Sequence, residues 1–234
     1  KSRGFFARKR LALAPTIIPK RNIFSPSISI PMHPEILEEQ QRKLLPFLSE
    51  FSSDFGMVGG TAIAYHIGHR RSIDFDLFTN TEFDNAKILS KIRKTFPLER
   101  VYRNETDQLT VLVHGVQLTF FRYPYPLEFP ESFEGVVNIP VLSTLAAMKL
   151  FALGRRAKWK DYVDLYFVFK DQCAFRDVIQ TARNMFGNEM NEKILREQLC
   201  YFYDIDFSET VSYLPGFETS DETVKEFLTK VSAA

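Results

Sequence analysis

Cysteine is nearly absent from this 234-residue chain, which has only Cys173 and Cys200. Two cysteines with no His or Cys at ligand spacing form neither a zinc site nor a disulfide framework, and they fit a reducing, cytoplasmic compartment. Histidine is equally sparse: the four present are scattered, which removes the imidazole-based metal centres from consideration. No apolar run reaches eighteen residues and no signal-peptide pattern is visible, which argues against a membrane span or secretion. There is no internal repeat and no low-complexity tract. What is abundant is apolar bulk, 45% hydrophobic residues including 23 Phe. That is enough to bury a core in one large or two small domains, and it excludes a disordered chain.

Charge is unevenly placed. Seven of the 30 Lys and Arg precede Glu35 and none of the 29 acids does, so the rest of the chain has 23 basic against 29 acidic residues, net −6. With Pro15, Pro19, Pro26 and Pro31 this basic arm reads as extended, either as an RNA- or partner-binding segment or as added or upstream sequence, since Met32 resembles a natural start. The expected division is a basic extension over 1–31, a mixed α/β part over 32–135 and a helical part over 136–234.

The most informative stretch runs from Gly59 to Asp76. Phe55, Met57 and Val58 read as a strand stub that stops at Gly59 and Gly60, where the missing Cβ atoms permit a tight turn and close approach of a phosphate. Thr61 is expected to be the N-cap of a short helix reaching Gly68, whose left-handed conformation would end it. Ile73, Phe75 and Leu77 alternate with Asp74 and Asp76, which is strand periodicity with both carboxylates on one face, roughly 7 Å apart along the backbone. Two carboxylates completed by substrate phosphate oxygens fit Mg2+, a hard ion commonly held through one or two protein carboxylates. The plainer alternative is a glycine turn followed by a strand end with two solvated acids.

A second block follows. Leu142, Leu145, Ala146, Leu150 and Leu153 make a helical stripe ending near Gly154, with Lys149 off its centre. Arg155, Arg156, Lys158 and Lys160 form a basic turn, and Asp161 and Asp164 stand at i and i+3 of the next helix. Lys149 reads either as a solvated cation or as a ligand of a triphosphate, with Asp161 orienting it or accepting a proton. Asp164 reads as a salt-bridge partner of Lys160 or Arg156. The remaining pattern gives a helix from Pro34 to about Glu50 and another over 85–95. Three strands follow at 98–102, 109–114 and 116–122, the last two joined near Gly115 as a hairpin. A Pro-rich connection, an edge strand over 136–139 and amphipathic helices near 176–185, 191–201 and 221–231 complete it.

The Gly-Gly-Thr, Gly-His-Arg, Ser72 and Asp74-Phe75-Asp76-Leu77-Phe78 elements resemble the first motif of the nucleotidyltransferase superfamily that includes DNA polymerase β. The Lys149 to Tyr166 block is similar to the downstream region of its AbiEii/AbiGii toxin family. The resemblance covers about residues 35–169. It implies an α/β (α+β) nucleotidyltransferase fold with a mixed sheet, followed by helices, that binds a nucleoside triphosphate and transfers a nucleotide to an acceptor such as RNA or tRNA. A cognate antitoxin partner would accompany such a toxin. On this resemblance Asp74, Asp76, Lys149 and Asp161 are the expected catalytic residues, with Asp74 and Asp76 holding Mg2+. Gly59, Gly60, Thr61, Arg70 and Ser72 are the expected nucleotide-binding residues, although an Arg before a strand is as readily a surface cation and a Ser a turn hydroxyl. One departure stands out: where polymerase-type relatives carry a third carboxylate, the strand from Val116 to Phe121 offers Gln117 and Thr119. Asp161 supplying the base, weaker assistance, and a degenerate nucleotide- or partner-binding module all remain open. So does a small-molecule transferase of the aminoglycoside type, which the acidic surface outside the arm suits.

Overall fold

The computed structural model describes residues 32–234, so the basic arm lies outside the described residues. In chain order the elements are α1 (Glu39–Leu44), β1 (Gly56–Val58), α2 (Gly59–Ile67), β2 (Phe75–Thr79), α3 (Asn85–Thr95), β3 (Leu98–Glu105), β4 (Gln108–Val113), β5 (Val116–Arg122), β6 (Glu131–Phe133) and β7 (Val137–Ile139). Then come α4 (Leu142–Leu153), α5 (Trp159–Phe167), α6 (Phe175–Phe186), α7 (Glu192–Leu199) and α8 (Asp221–Ala233).

Five strands form a mixed sheet in the order β1-β2-β5-β4-β3, with β2 and β5 parallel and the other neighbours antiparallel. Strand alternation divides its residues between two environments. Phe75, Leu77, Leu109, Val111, Leu118 and Phe120 are fully buried on one face. That face packs on the short helical turns after α1, where the rings of Phe51 and Phe55 meet Phe120 edge-on at 4.9 and 5.3 Å. The opposite face carries Asp76, Phe78, Gln117, Thr119 and Phe121, all partly accessible, and forms the floor of a cleft. The β4–β5 hairpin turns at His114 and Gly115, both with positive φ (53° and 74°), as expected for a tight two-residue turn.

The expected helix over 34–50 is broken. A turn over Pro34–Ile36, α1 and a turn over Leu45–Phe51 replace it, because the ring of Pro46 removes an amide donor and favours a new start. Thr61 is not an N-cap: α2 begins at Gly59 with Val58 as its cap, and Thr61 lies inside the first turn. Gly68 does end α2 in the left-handed region, at φ 75°. The boundary expected near residue 135 falls in the turn between the paired strands β6 and β7. Among the described residues no helix is long and apolar enough to cross a membrane.

Candidate active site

The glycine turn and the Asp strand meet because β1 and β2 are antiparallel neighbours, with Val58 opposite Asp76. Gly59, at φ 78°, lies directly under the Asp76 carboxylate: a Cβ there would stand 2.1 Å from Oδ2. Glycine is therefore required twice over, by backbone conformation and by contact. Gly60 is held as closely, since a Cβ would fall 2.6 Å from Nη2 of Arg70 and 3.2 Å from Oγ of Ser72. Thr61 donates its hydroxyl to the Asp74 carbonyl at 2.5 Å and fixes the entry to β2. Its side chain is buried and committed, so the residue shapes the turn from beneath.

Asp74 and Asp76 carry charge without an ion-pair partner among the described residues, although sixteen Lys or Arg pairs with acids form elsewhere among them. Burial pushes the Asp76 carboxyl up to about 6, and the neighbouring Asp74 charge adds to it against Arg156, Lys149 and the Thr119 hydroxyl. Asp74 is raised as well, by burial and then by Glu209. Glu209 itself bridges Lys158 and Lys160, the latter at 3.2 Å. In the parallel register Thr119 stands beside Asp76, and neither it nor Gln117 on the same face is an acid. Among the described residues no group of three or more His, Cys, Asp or Glu forms a metal cage. Two uncompensated carboxylates, only oxygen donors and open cleft beside them fit magnesium completed by water and phosphate oxygens; they do not fit a closed all-protein site.

Lys149, on α4, is no solvated cation. It is buried, and its Nζ lies 2.7 Å from Asp161 Oδ1 and 2.9 Å from Asp164 Oδ2. Burial alone would discharge it, but the two carboxylates outweigh burial and keep the ammonium's pKa above its usual value. Asp161 sits behind Lys149, with Oδ2 3.2 Å from Nε of Arg156. Lys149 and Arg156 line the cleft, so Asp161 acts on it through them.

Two expectations are corrected here. Asp164 is not a surface partner of Lys160 or Arg156: it is fully buried, and receives Nε and Nη2 of Arg70 at 2.7 and 2.8 Å and Nε2 of His69 at 2.8 Å. Arg70 and Lys149 hold its carboxyl well below the usual range, overcoming the burial that opposes them. Arg70 is likewise no surface cation, and Nη1 donates to the Arg71 carbonyl at 2.9 Å. With all three nitrogens engaged, it supports the Gly60 turn from below. Ser72, next to it, accepts at its carbonyl from Gln41 Nε2 at 2.8 Å. The Gly-His-Arg string thus joins the sheet to α4 and α5 through one buried ion cluster. Neither residue type nor spacing identified His69 and Asp164 as partners; their only signal was the Asp161/Asp164 pairing on one helix face.

The cleft between the sheet floor and α4 holds about 550 Å³, a common size for small-molecule sites. Asp76, Gly59, Thr110, Thr119 and Lys149 line one end, and Phe78, Phe121, Tyr123, Tyr125 and Phe151 the other. No local pattern points to this aromatic end, because its members come from three separate segments, at 78, 121–125 and 151.

This architecture is the nucleotidyltransferase fold. MenT4, a nucleotidyltransferase toxin from Mycobacterium tuberculosis, superposes with a TM-score of 0.57 at 18% identity, over 82% of this chain and 80% of that one. JHP933 from Helicobacter pylori gives 0.52 at 16% identity, over 86% of this chain and 92% of its own. At the level of sequence, an uncharacterized Aquifex aeolicus protein, aq_aa25, is 32% identical over 196 residues, 81% of this chain and 87% of that protein. The chain belongs to the same family as that protein. No protein-family model matches it.

Proposed function

We propose that this protein is a magnesium-dependent nucleotidyltransferase that moves a nucleotide from a nucleoside triphosphate to an acceptor hydroxyl, with RNA or tRNA as acceptor. The observation that carries this reading is the Asp76 carboxylate, without an ion-pair partner and set over Gly59 in a cleft that Lys149 also lines, with the Asp74 charge near enough to raise it. A divalent ion held by that pair would supply Lewis-acid stabilisation of phosphate oxygens. The chain's own groups do the rest. The turn and the first amides of α2 cradle phosphate, and Lys149 neutralises charge that grows on the departing group. Asp161 keeps Lys149 charged and in place, and Arg70 with Ser72 holds the turn.

In the reaction the acceptor oxygen bonds to the α-phosphorus and the bond to the bridging oxygen breaks. Pyrophosphate leaves with that electron pair, and the hydroxyl proton passes to water in the cleft, since Thr119, not an acid, stands beside Asp76. A toxin role with a cognate antitoxin is supported by the resemblance of the Lys149 to Tyr166 block and by the toxin among the similar structures, and a cytoplasmic setting by the two free cysteines, Cys173 and Cys200.

The test is incubation with each labelled nucleoside triphosphate, Mg2+ and total tRNA, comparing wild type with Asp74→Ala plus Asp76→Ala. Label on RNA with wild type alone is expected. Equal labelling by the double variant would end the assignment of those carboxylates.

A further inference from the structure

The cleft floor changes character in an ordered way. Strand pairing aligns Asp76, Thr119 and Thr110 in one cross-sheet row, and Phe78, Phe121 and Gln108 in the next row on the same face. Same-face rows are about 6.6 to 6.8 Å apart, twice the rise of a strand residue. That is comparable to the reach of a ribose between its 5′-phosphate and its base. Above the second row stands Tyr123, with ring centroids of Phe78 and Tyr123 5.5 Å apart and those of Phe78 and Phe121 5.2 Å apart. All three rings are partly accessible to the cleft. The wall opposite is Phe151 of α4, 5.7 Å from Tyr125. Phe151 is itself stacked on Phe186 at 3.9 Å, and it lines the same cleft as Gln108, as do the rings of Phe78, Phe121 and Tyr123.

The Gln108 amide is not free to turn either way. Its Oε1 accepts from Nη1 of Arg103 at 2.9 Å, which leaves the Nε2 group for the cleft. The free end that this amide turns to the cleft is therefore a donor.

We propose that the Phe78, Phe121 and Tyr123 end of the cleft is the nucleobase subsite, and that Gln108 selects bases presenting a carbonyl oxygen there (cytosine, uracil or guanine) over adenine. This rests on the nucleotidyl-transfer reading and deepens it by naming the substrate class. Adenine alone of the four bases has no carbonyl oxygen, and its amino group facing Nε2 of Gln108 would place donor against donor. The rings supply affinity that does not depend on the base, since every base has a π-face to stack.

The experiment is equilibrium binding of the four nucleoside triphosphates and of inorganic tripolyphosphate to the full chain with Mg2+. Wild type is compared with Gln108→Glu and Tyr123→Ala, each with an unchanged melting midpoint as the folding control. Wild type is expected to bind ATP about tenfold more weakly than the best of the other three. Gln108→Glu, which turns the edge into an acceptor, should abolish or invert that gap. Tyr123→Ala should weaken all four nucleotides about tenfold while tripolyphosphate binds as before. If all four nucleotides bind wild type equally and neither variant changes this, the base subsite is wrong and the nucleotide reading survives. If no nucleotide binds at all, the nucleotide reading falls and takes the subsite with it.

Discussion

Asp76 and Asp164 lie in one site and titrate in opposite directions, for reasons that depend on their partners. Asp76 has a raised carboxyl, about 6 against 3.8 in an unfolded chain, so the native state binds the extra proton and stability falls as pH rises between those values. Above pH 7 and without divalent ions, Asp76→Asn should therefore stabilise the fold, by about 1 to 3 kcal/mol. Urea titrations of both proteins at pH 4.5 and 7.5 check this: the gain should appear at 7.5 and shrink at 4.5. Asp164 is the reverse case. Its lowered carboxyl contributes stability that is present above the unfolded value and lost as pH falls through the folded one. Asp164→Asn leaves the buried cations of Arg70 and Lys149 without their shared anion, which should cost about 3 to 5 kcal/mol. Thermal denaturation at neutral pH reads it, and a loss under about 1 kcal/mol would show that the cluster relaxes into water.

At the scale of elements, the β1-turn-α2 unit shows how little room the site leaves. Gly59→Ala puts a methyl group where the Asp76 carboxylate lies, in a conformation that L side chains resist. The expected result is at least a tenfold loss of Mg2+ affinity, about 1.4 kcal/mol, together with a lower melting temperature. Calorimetric titration with the metal alone measures the first. The turn, the ending of α2 at Gly68, the alternation of β2 and the β4–β5 hairpin were all legible in the sequence, because each depends on local backbone and on period. The helix expected over 34–50 was less so: Pro46 interrupts it, and Phe51 at the end of the following turn still reaches the Phe120 ring. The role of Thr61 was misplaced for a related reason. Cap preferences describe a free helix end, whereas α2 starts at the strand's last residue and uses the Thr61 hydroxyl to bind the Asp74 backbone.

Across the whole molecule, the sheet half supplies the two carboxylates and the helical half supplies Lys149 and Asp161, and the Asp164 cluster joins the halves behind the cleft. The segment after α7 adds to this junction: Leu214 N–H donates to the His69 carbonyl at 3.0 Å, and Ser212 accepts from Arg71 N–H at 2.8 Å. A ligand that bridges both halves should therefore stabilise the entire fold. A preferred nucleotide with Mg2+ at a hundred times its dissociation constant should add about 2.7 kcal/mol to wild type and almost nothing to the Asp74→Ala plus Asp76→Ala variant. A melting series across nucleotide concentrations gives this, and equal shifts in both proteins would place the nucleotide away from the carboxylates. The sequence by itself determined the glycine turn, the paired acids, the strand and helix periods and the family resemblance, since all of these are written within a few residues of one another. Only the tertiary structure decided that Lys149 is buried with two acids, that Arg70 serves Asp164 instead of solvent, and that rings from distant segments close one end of the cleft. Those facts depend on which strand lies beside which and how α4 and α5 cross the sheet, and no local pattern encodes contacts between residues about 95 positions apart.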